Sequence, residues 1–244
     1  MEIRPLSARS VVLSLLLGAH PPELAARDLV AVAEEFGIAE ATLRVALTRM
    51  VAAGDLDRSG TTYRLSARML ERQRRQDAAL EPELVAWDDT WETVVVTSAG
   101  RSAADRAELR AALGELRLAE LREGVWMRPA NLARPLPAWP ADLLTVLSST
   151  PADDPAGLAR RLWDLEAWNA TGAALLEAIT VAHSGADRLA LAAAVVRHLR
   201  TDPALPAELL PPEWVAGALR ETYAGYQREL IATGIEIRVA PSPR

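Results

Sequence analysis

The stretch from Gly37 to Ser66, GIAEATLRVALTRMVAAGDLDRSGTTYRLS, constrains the fold more than any other part of the chain. Just before it, ARDLVAVAEEFGI places Leu29, Val32, Ala33 and Phe36 on one helical face and ends at Gly37, a residue suited to the left-handed backbone of a helix C-terminus. A second helical pattern begins near Ala39, runs to Ala53 and is closed by Gly54. Two helices joined at a tight glycine turn form a candidate helix-turn-helix. At about 100° per residue, Leu43, Ala46, Leu47 and Met50 make the inward stripe of the second helix. Its outward arc is Ala41, Arg44, Val45, Thr48 and Arg49, with Thr42 near the start. Small side chains flanked by arginines suit a major groove: the backbone can approach, a thymine methyl can meet Val45 or Thr48, and a guanidinium can fork onto guanine or clamp a phosphate. After Gly54 the sequence alternates as two strands about Ser59-Gly60-Thr61, with Leu56, Tyr63 and Leu65 facing in and Arg58 and Arg64 near the tip. A further helix precedes all this from Ser7 to Leu17, with Ser7 as its cap. The sum is a winged helix, which can read DNA or serve as an interaction scaffold.

Charge favours the first use locally. The net charge of the chain is −6, yet residues 1–76 hold 11 basic against 9 acidic side chains, while the remainder holds 16 against 24. A polyanion therefore meets the N-terminal third and not the acidic body. Every basic side chain is arginine. RLSARMLERQRRQ, from Arg64 to Gln76, places five arginines against one glutamate and reads as a helical segment that either contacts phosphate beside the wing or lies solvated as a linker.

Other chemistries find little support. Cysteine is absent, which removes disulfides, thiolate metal sites and cysteine nucleophiles, and His20, His183 and His198 lack ligand spacing, so no metal site is expected. The pairs Asp88-Asp89 and Asp153-Asp154 read as solvated turn residues, Ser184-Gly185 beside His183 lacks the context of a hydrolase elbow, and phosphate-binding glycine motifs are missing. No catalytic residue, resident cofactor or membrane span is expected, and the apolar content of 50% fits a cytoplasmic globular chain. An enzyme reading stays as the lesser alternative.

Beyond residue 76 the seven tryptophans appear. WETVVVTSAG reads as a buried strand, SAADRAELRAALGELRLAEL as an amphipathic helix with Leu109, Leu113 and Leu116 inward, GVWMRP as a second strand and DLLTVLSS as a third, which suggests a ferredoxin-like sandwich. On the second strand, Trp126 and Arg128 could face a cleft, stacking an aryl group and meeting a phosphate, or could be core and surface respectively. From Pro155 onward the pattern is helical, with Trp163 and Trp168 in the core, Trp214 as a loop anchor in RTDPALPAELLPPEW, and IEIRV as a final edge strand.

Taken in order, SARSVVLSLLLG, FGIAEATLRVALTRMVAAGDL, YRLS with ERQRRQ, WDDTWETVVV, GVWMRPANL, LWDLEAW and RTDPALPAELLPPEW resemble successive blocks of the PaaX family, repressors of phenylacetate-degradation genes. The resemblance spans nearly the whole chain. It implies an α+β, mainly helical protein in three parts: a winged helix-turn-helix with its linker helix at 1–78, a ferredoxin-like dimerisation domain at 79–152 and a helical, effector-sensing domain at 153–244. It further implies a homodimer on double-stranded operator DNA, released by phenylacetyl-CoA or another aryl- or acyl-CoA thioester. The DNA-reading role falls on Thr42, Arg44, Val45, Thr48 and Arg49, with Arg58 and Arg64 on the wing. The alternatives are a winged-helix interaction or RNA-binding module and an acyl-CoA-processing enzyme.

Overall fold

The structure, a computed structural model, describes residues 7–98, 100–140 and 142–239; the outermost residues of the two terminal domains expected from sequence lie outside these. Helix α1 (Ala8–Gly18) starts where the Ser7 hydroxyl accepts the Ser10 amide at 3.2 Å, and it buries Val11, Val12, Leu15 and Leu16. Strand β1 (Glu23–Ala25) follows, then α2 (Ala26–Glu35), which buries Leu29, Val32 and Ala33. Gly37 takes a φ of 69°, so the amide of Ile38 can turn back to the Ala33 carbonyl at 3.0 Å and close the helix. Helix α3 (Glu40–Ala52) then buries Leu43, Leu47 and Met50 of the stripe read from sequence and leaves its fourth member, Ala46, half-buried. Strands β2 (Leu56–Ser59) and β3 (Thr62–Leu65) pair across the two-residue turn Gly60-Thr61, with Leu56, Tyr63 and Leu65 buried. The wing sheet has a third strand: β1 pairs antiparallel with β3, giving the order β1-β3-β2. Three residues are too few to show a two-residue period, so β1 carries no strand signature in the sequence.

Helix α4 (Ala67–Leu80) leads out of the wing. Strand β4 (Trp91–Val96), α5 (Ala103–Glu115), β5 (Ala119–Arg122), β6 (Val125–Pro129) and β7 (Leu144–Ser149) form an antiparallel sheet in the order β5-β6-β4-β7. This is the ferredoxin-like order. It holds four strands where the sequence reading found three, because the helical pattern over residues 102–121 had absorbed β5. Arg117, with a φ of 60°, is where helix gives way to strand. One face of the sheet meets α5 through Val94, Trp126, Leu109 and Leu113. The other face, with Trp91 and Met127, is covered by α6 (Pro155–Leu162), by the start of α7 (Leu165–Val181) and by Leu205 and Leu209 of the proline-rich loop. Trp214 anchors that loop by stacking on Trp168, ring centroids 4.4 Å apart. Helices α8 (Gly185–Leu199) and α9 (Ala216–Val239) complete the chain. Residues 235–239, read as an edge strand, are the last turns of α9: a helix already under way extends at little cost and overrides a five-residue alternation.

By internal contacts the chain forms two units. The first joins residues 1–80, 172–200 and 217–244; the second joins 81–171 and 201–216. The helices expected as one domain at 153–244 are thus shared between both.

In the first unit, Asp55 lies just past α3 and is buried. Its carboxylate accepts Arg9 of α1 at 2.9 Å and Arg68 of α4, while its amide donates to Met50 and its carbonyl accepts Ser66. Two guanidinium groups match both carboxylate oxygens, so one buried acid pins three helices. Asp55→Ala is expected to lower the unfolding free energy by about 2 kcal/mol, the size of a charge-assisted hydrogen bond left unmade, as read by urea titration.

Candidate nucleic-acid interface

Ala41, Thr42, Arg44, Val45, Thr48 and Arg49 are all exposed along one arc of α3. Val45 is 51% exposed, an apolar side chain held in water beside arginines. Between this arc and the start of α1 runs an open groove of about 730 Å³, bordered by Thr42, Val45 and Arg49 on one side and by Arg9 and Asp55 on the other. The charges on the arc are not equivalent. Arg44 donates from Nε to Glu40 Oε1 at 2.6 Å, so it must leave that carboxylate to reach a phosphate. The Arg49 guanidinium is exposed, with no hydrogen bond or ion pair among the described residues. The Thr48 hydroxyl donates to the Arg44 carbonyl at 3.0 Å, leaving its methyl and its oxygen lone pairs for a ligand.

On the wing, Arg58 Nε donates to the Gly60 carbonyl at 2.9 Å, and its guanidinium lies 5.7 Å from the Tyr63 ring centre. It is held along the hairpin. Arg64 faces Asp57 across the β2–β3 ladder at 3.8 Å, a weak and exposed pair. The basic helix after the wing is divided in its uses: Arg68 is committed to Asp55, Arg74 and Arg75 pair with Glu71 at 2.6 and 3.4 Å, and Arg72 turns toward α1 and α8.

The central strand departs from the sequence reading. Trp126 does line a cleft of about 340 Å³, but the arginines beside it are Arg101, Arg106 and Arg110 of the α5 region. Arg128 does not line that cleft. It is fully buried, donating to Asn131 Oδ1 at 2.8 Å, to the Pro129 carbonyl at 3.0 Å and, at 3.3–3.4 Å, to the carbonyls of Ala204, Pro203 and Arg117. Two of its partners, Pro203 and Ala204, lie more than seventy residues away and cannot be read from spacing. Burial above all, with Arg134 as the next cause, lowers its pKa to about 9, so it stays charged at neutral pH.

Residues weighed for catalysis have local structural tasks. Asp88 accepts the Thr90 amide and hydroxyl, Asp154 caps α6 at the Gly157 amide, and Ser184 caps α8 at the Asp187 amide. Among the described residues no group of three or more metal-ligating side chains converges, and no helix is long and apolar enough to cross a membrane.

Comparison with known proteins agrees with the layout. Residues 7–69 match the model of the PaaX-like protein family, and residues 84–141 match that of the PaaX protein central Cas2-like domain. Among solved structures, the uncharacterized protein Rv0674 from Mycobacterium tuberculosis is similar at 48% sequence identity, with a TM-score of 0.87 over 96% of this chain and 99% of that one. No curated protein matches the chain. This chain belongs to the PaaX family, a family of regulators and not of enzymes.

The buried placement of Arg128 carries its own expectation. Arg128→Ala empties a guanidinium-sized space and takes a donor from Asn131 Oδ1 and from the Arg117, Pro129 and Pro203 carbonyls, while Ala204 keeps Asn131 Nδ2, so unfolding monitored by tryptophan fluorescence should show a loss of about 3 kcal/mol.

Proposed function

We propose that the protein is a dimeric, DNA-binding transcriptional repressor of an aromatic-acid operon of the phenylacetate type, relieved by an aryl-acyl-CoA effector. The observation that carries the DNA reading is the exposed arc of α3, in which Val45 and Thr48 stand between Arg44 and Arg49 with no covering element among the described residues. Side chains this small let the helix backbone sit deep in a major groove, and the flanking guanidinium groups supply base or phosphate contacts. Arg58 and Arg64 on the wing extend the contact to the neighbouring backbone. Membership in a regulator family supports the same reading and is the basis for the effector class.

A dimer makes the affinity sufficient: two heads on a palindromic site double the phosphate contacts against an acidic body. Its support in the fold is β7, an edge strand paired on one side, whose Val146 and Leu147 are 43% and 48% exposed. An edge with apolar side chains invites pairing with another copy. Protein, DNA in the cytoplasm and a small thioester are the parts of this scheme; no resident cofactor is needed.

Gel-shift titration on the protein's own promoter tests the head. Arg49→Ala, which removes an uncommitted charge, should weaken binding by about 1–3 kcal/mol, and Arg44→Ala by less because Glu40 already holds that side chain. Equal affinity for wild type and both variants refutes the placement. Phenylacetyl-CoA should reverse the shift without being consumed; its consumption would indicate an enzyme, and the lack of any shift a scaffold. Leu147→Lys should give a monomer in light scattering and reduce operator affinity by about a hundredfold.

A further inference from the structure

The first unit encloses a second feature that the DNA reading does not use, a cavity of about 230 Å³ between α1, α4, α8 and α9. Its floor is apolar, formed by Leu13, Leu189 and Val196. Its rim carries four guanidinium groups, Arg9, Arg72, Arg197 and Arg200, and among the described residues no carboxylate lines it. Arg9 is held by Asp55, whereas Arg72, Arg197 and Arg200 have no ion pair among the described residues. Burial first, then the nearby charges of Arg200 and Arg9, depress the pKa of Arg72. Like charges gathered at one rim repel one another, and an anion placed among them removes that cost.

The cavity also holds two phenols with hydrogen-bonding capacity to spare. Tyr226 is 7% exposed, and its hydroxyl is buried without a hydrogen-bond partner among the described residues. A buried hydroxyl left unmade is unfavourable, so such groups are normally satisfied by something. The Tyr223 oxygen accepts from Gln227 Nε2 at 2.6 Å and from Gln76 Nε2 at 3.4 Å, which leaves its own proton to donate. Burial pushes the pKa of Tyr223 up to about 12 and that of Tyr226 higher still, so both are neutral donors at physiological pH. The combination of apolar floor, donor hydroxyls and cationic rim selects an amphipathic anion smaller than most drug-sized ligands.

We propose that this cavity binds a small amphipathic anion, an apolar body bearing a carboxylate or phosphate, held by Arg72 and Arg200 at its charged end and by Tyr226 and Tyr223 within. Arg9 connects the site to the DNA-facing groove, since it lines both and also bonds Asp55 beside α3. An anion at the rim competes with Asp55 for Arg9 and so acts on the position of α3; this regulatory part rests on the repressor reading above, while the binding part does not.

Isothermal titration of the full chain with phenylacetate, phenyl phosphate and phenylacetyl-CoA tests the proposal, and the three probes separate a carboxylate from a phosphate source. At least one probe should bind wild type, and the double variant Arg72→Ala/Arg200→Ala should weaken that binding by about tenfold or more. Tyr226→Phe should weaken it several-fold while leaving the Tm of the free protein unchanged or higher, because the buried hydroxyl it removes has no partner. Arg106→Ala, at the Trp126 cleft, should change nothing. Binding of none of the probes, or binding that survives the double variant and Tyr226→Phe, overturns the site. Gel shifts with the binding probe divide the two claims: release of operator that persists in the double variant keeps the repressor reading and refutes the cavity, whereas binding at the cavity without release keeps the site and refutes its regulation through Arg9.

Discussion

A single buried carboxylate holds the N-terminal unit in register. Asp55 meets Arg9 from α1 and Arg68 from α4 directly after the C-terminus of α3, and its backbone is tied to Met50 and Ser66. Arg9 and Arg68 are themselves largely exposed, so each guanidinium keeps part of its hydration while Asp55 gives up nearly all of its own. That asymmetry makes the acid the critical partner: two solvated cations can return to water if it is lost, and the link between α1 and α4 then falls to Gln73, which donates to the Leu17 and Ala19 carbonyls. The orientation of the outer arc of α3 against its neighbours is therefore an electrostatic matter as much as one of packing.

Arginine performs several tasks in this chain that lysine could not. At Arg128 the forked group spreads its donors over five acceptors on separate segments, in a site too dry for an ammonium to be satisfied. Elsewhere flat guanidinium groups lie over Tyr63, Trp126 and Tyr226 at 5.5–5.7 Å from the ring centres. The absence of lysine reads as a bias of composition in the sequence, yet the fold has made structural use of what that bias supplied.

Much of the head was legible because its signals are local. Helical spacing fixed the buried face of α3, glycines marked its ends, and alternation gave the hairpin. The misreadings share one cause, a local pattern too short to compete with its surroundings. β1 has three residues; β5 continues the leucine spacing of α5 until Arg117 turns the backbone; residues 235–239 alternate like a strand but extend α9. Site chemistry was less legible for a different reason. Arg128 and the cavity rim depend on groups drawn from distant segments, and no spacing within one segment records which carbonyl or cation will arrive opposite a given side chain.

The first unit is assembled from three stretches of chain, and this has a consequence for how the head can be handled. Gly18 lets α9 approach the end of α1 so closely that a Cβ there would overlap the Gln227 amide, and α8 packs on α1 and α4. The winged helix is thus not a portable module. A truncated head ending at residue 80 would uncover apolar surface on α1 around Leu13 and Leu17 and leave Gln76 without Tyr223, so its reading surface and its solubility belong to the full-length chain. Transplanting this head onto another body would require carrying α8 and α9 with it.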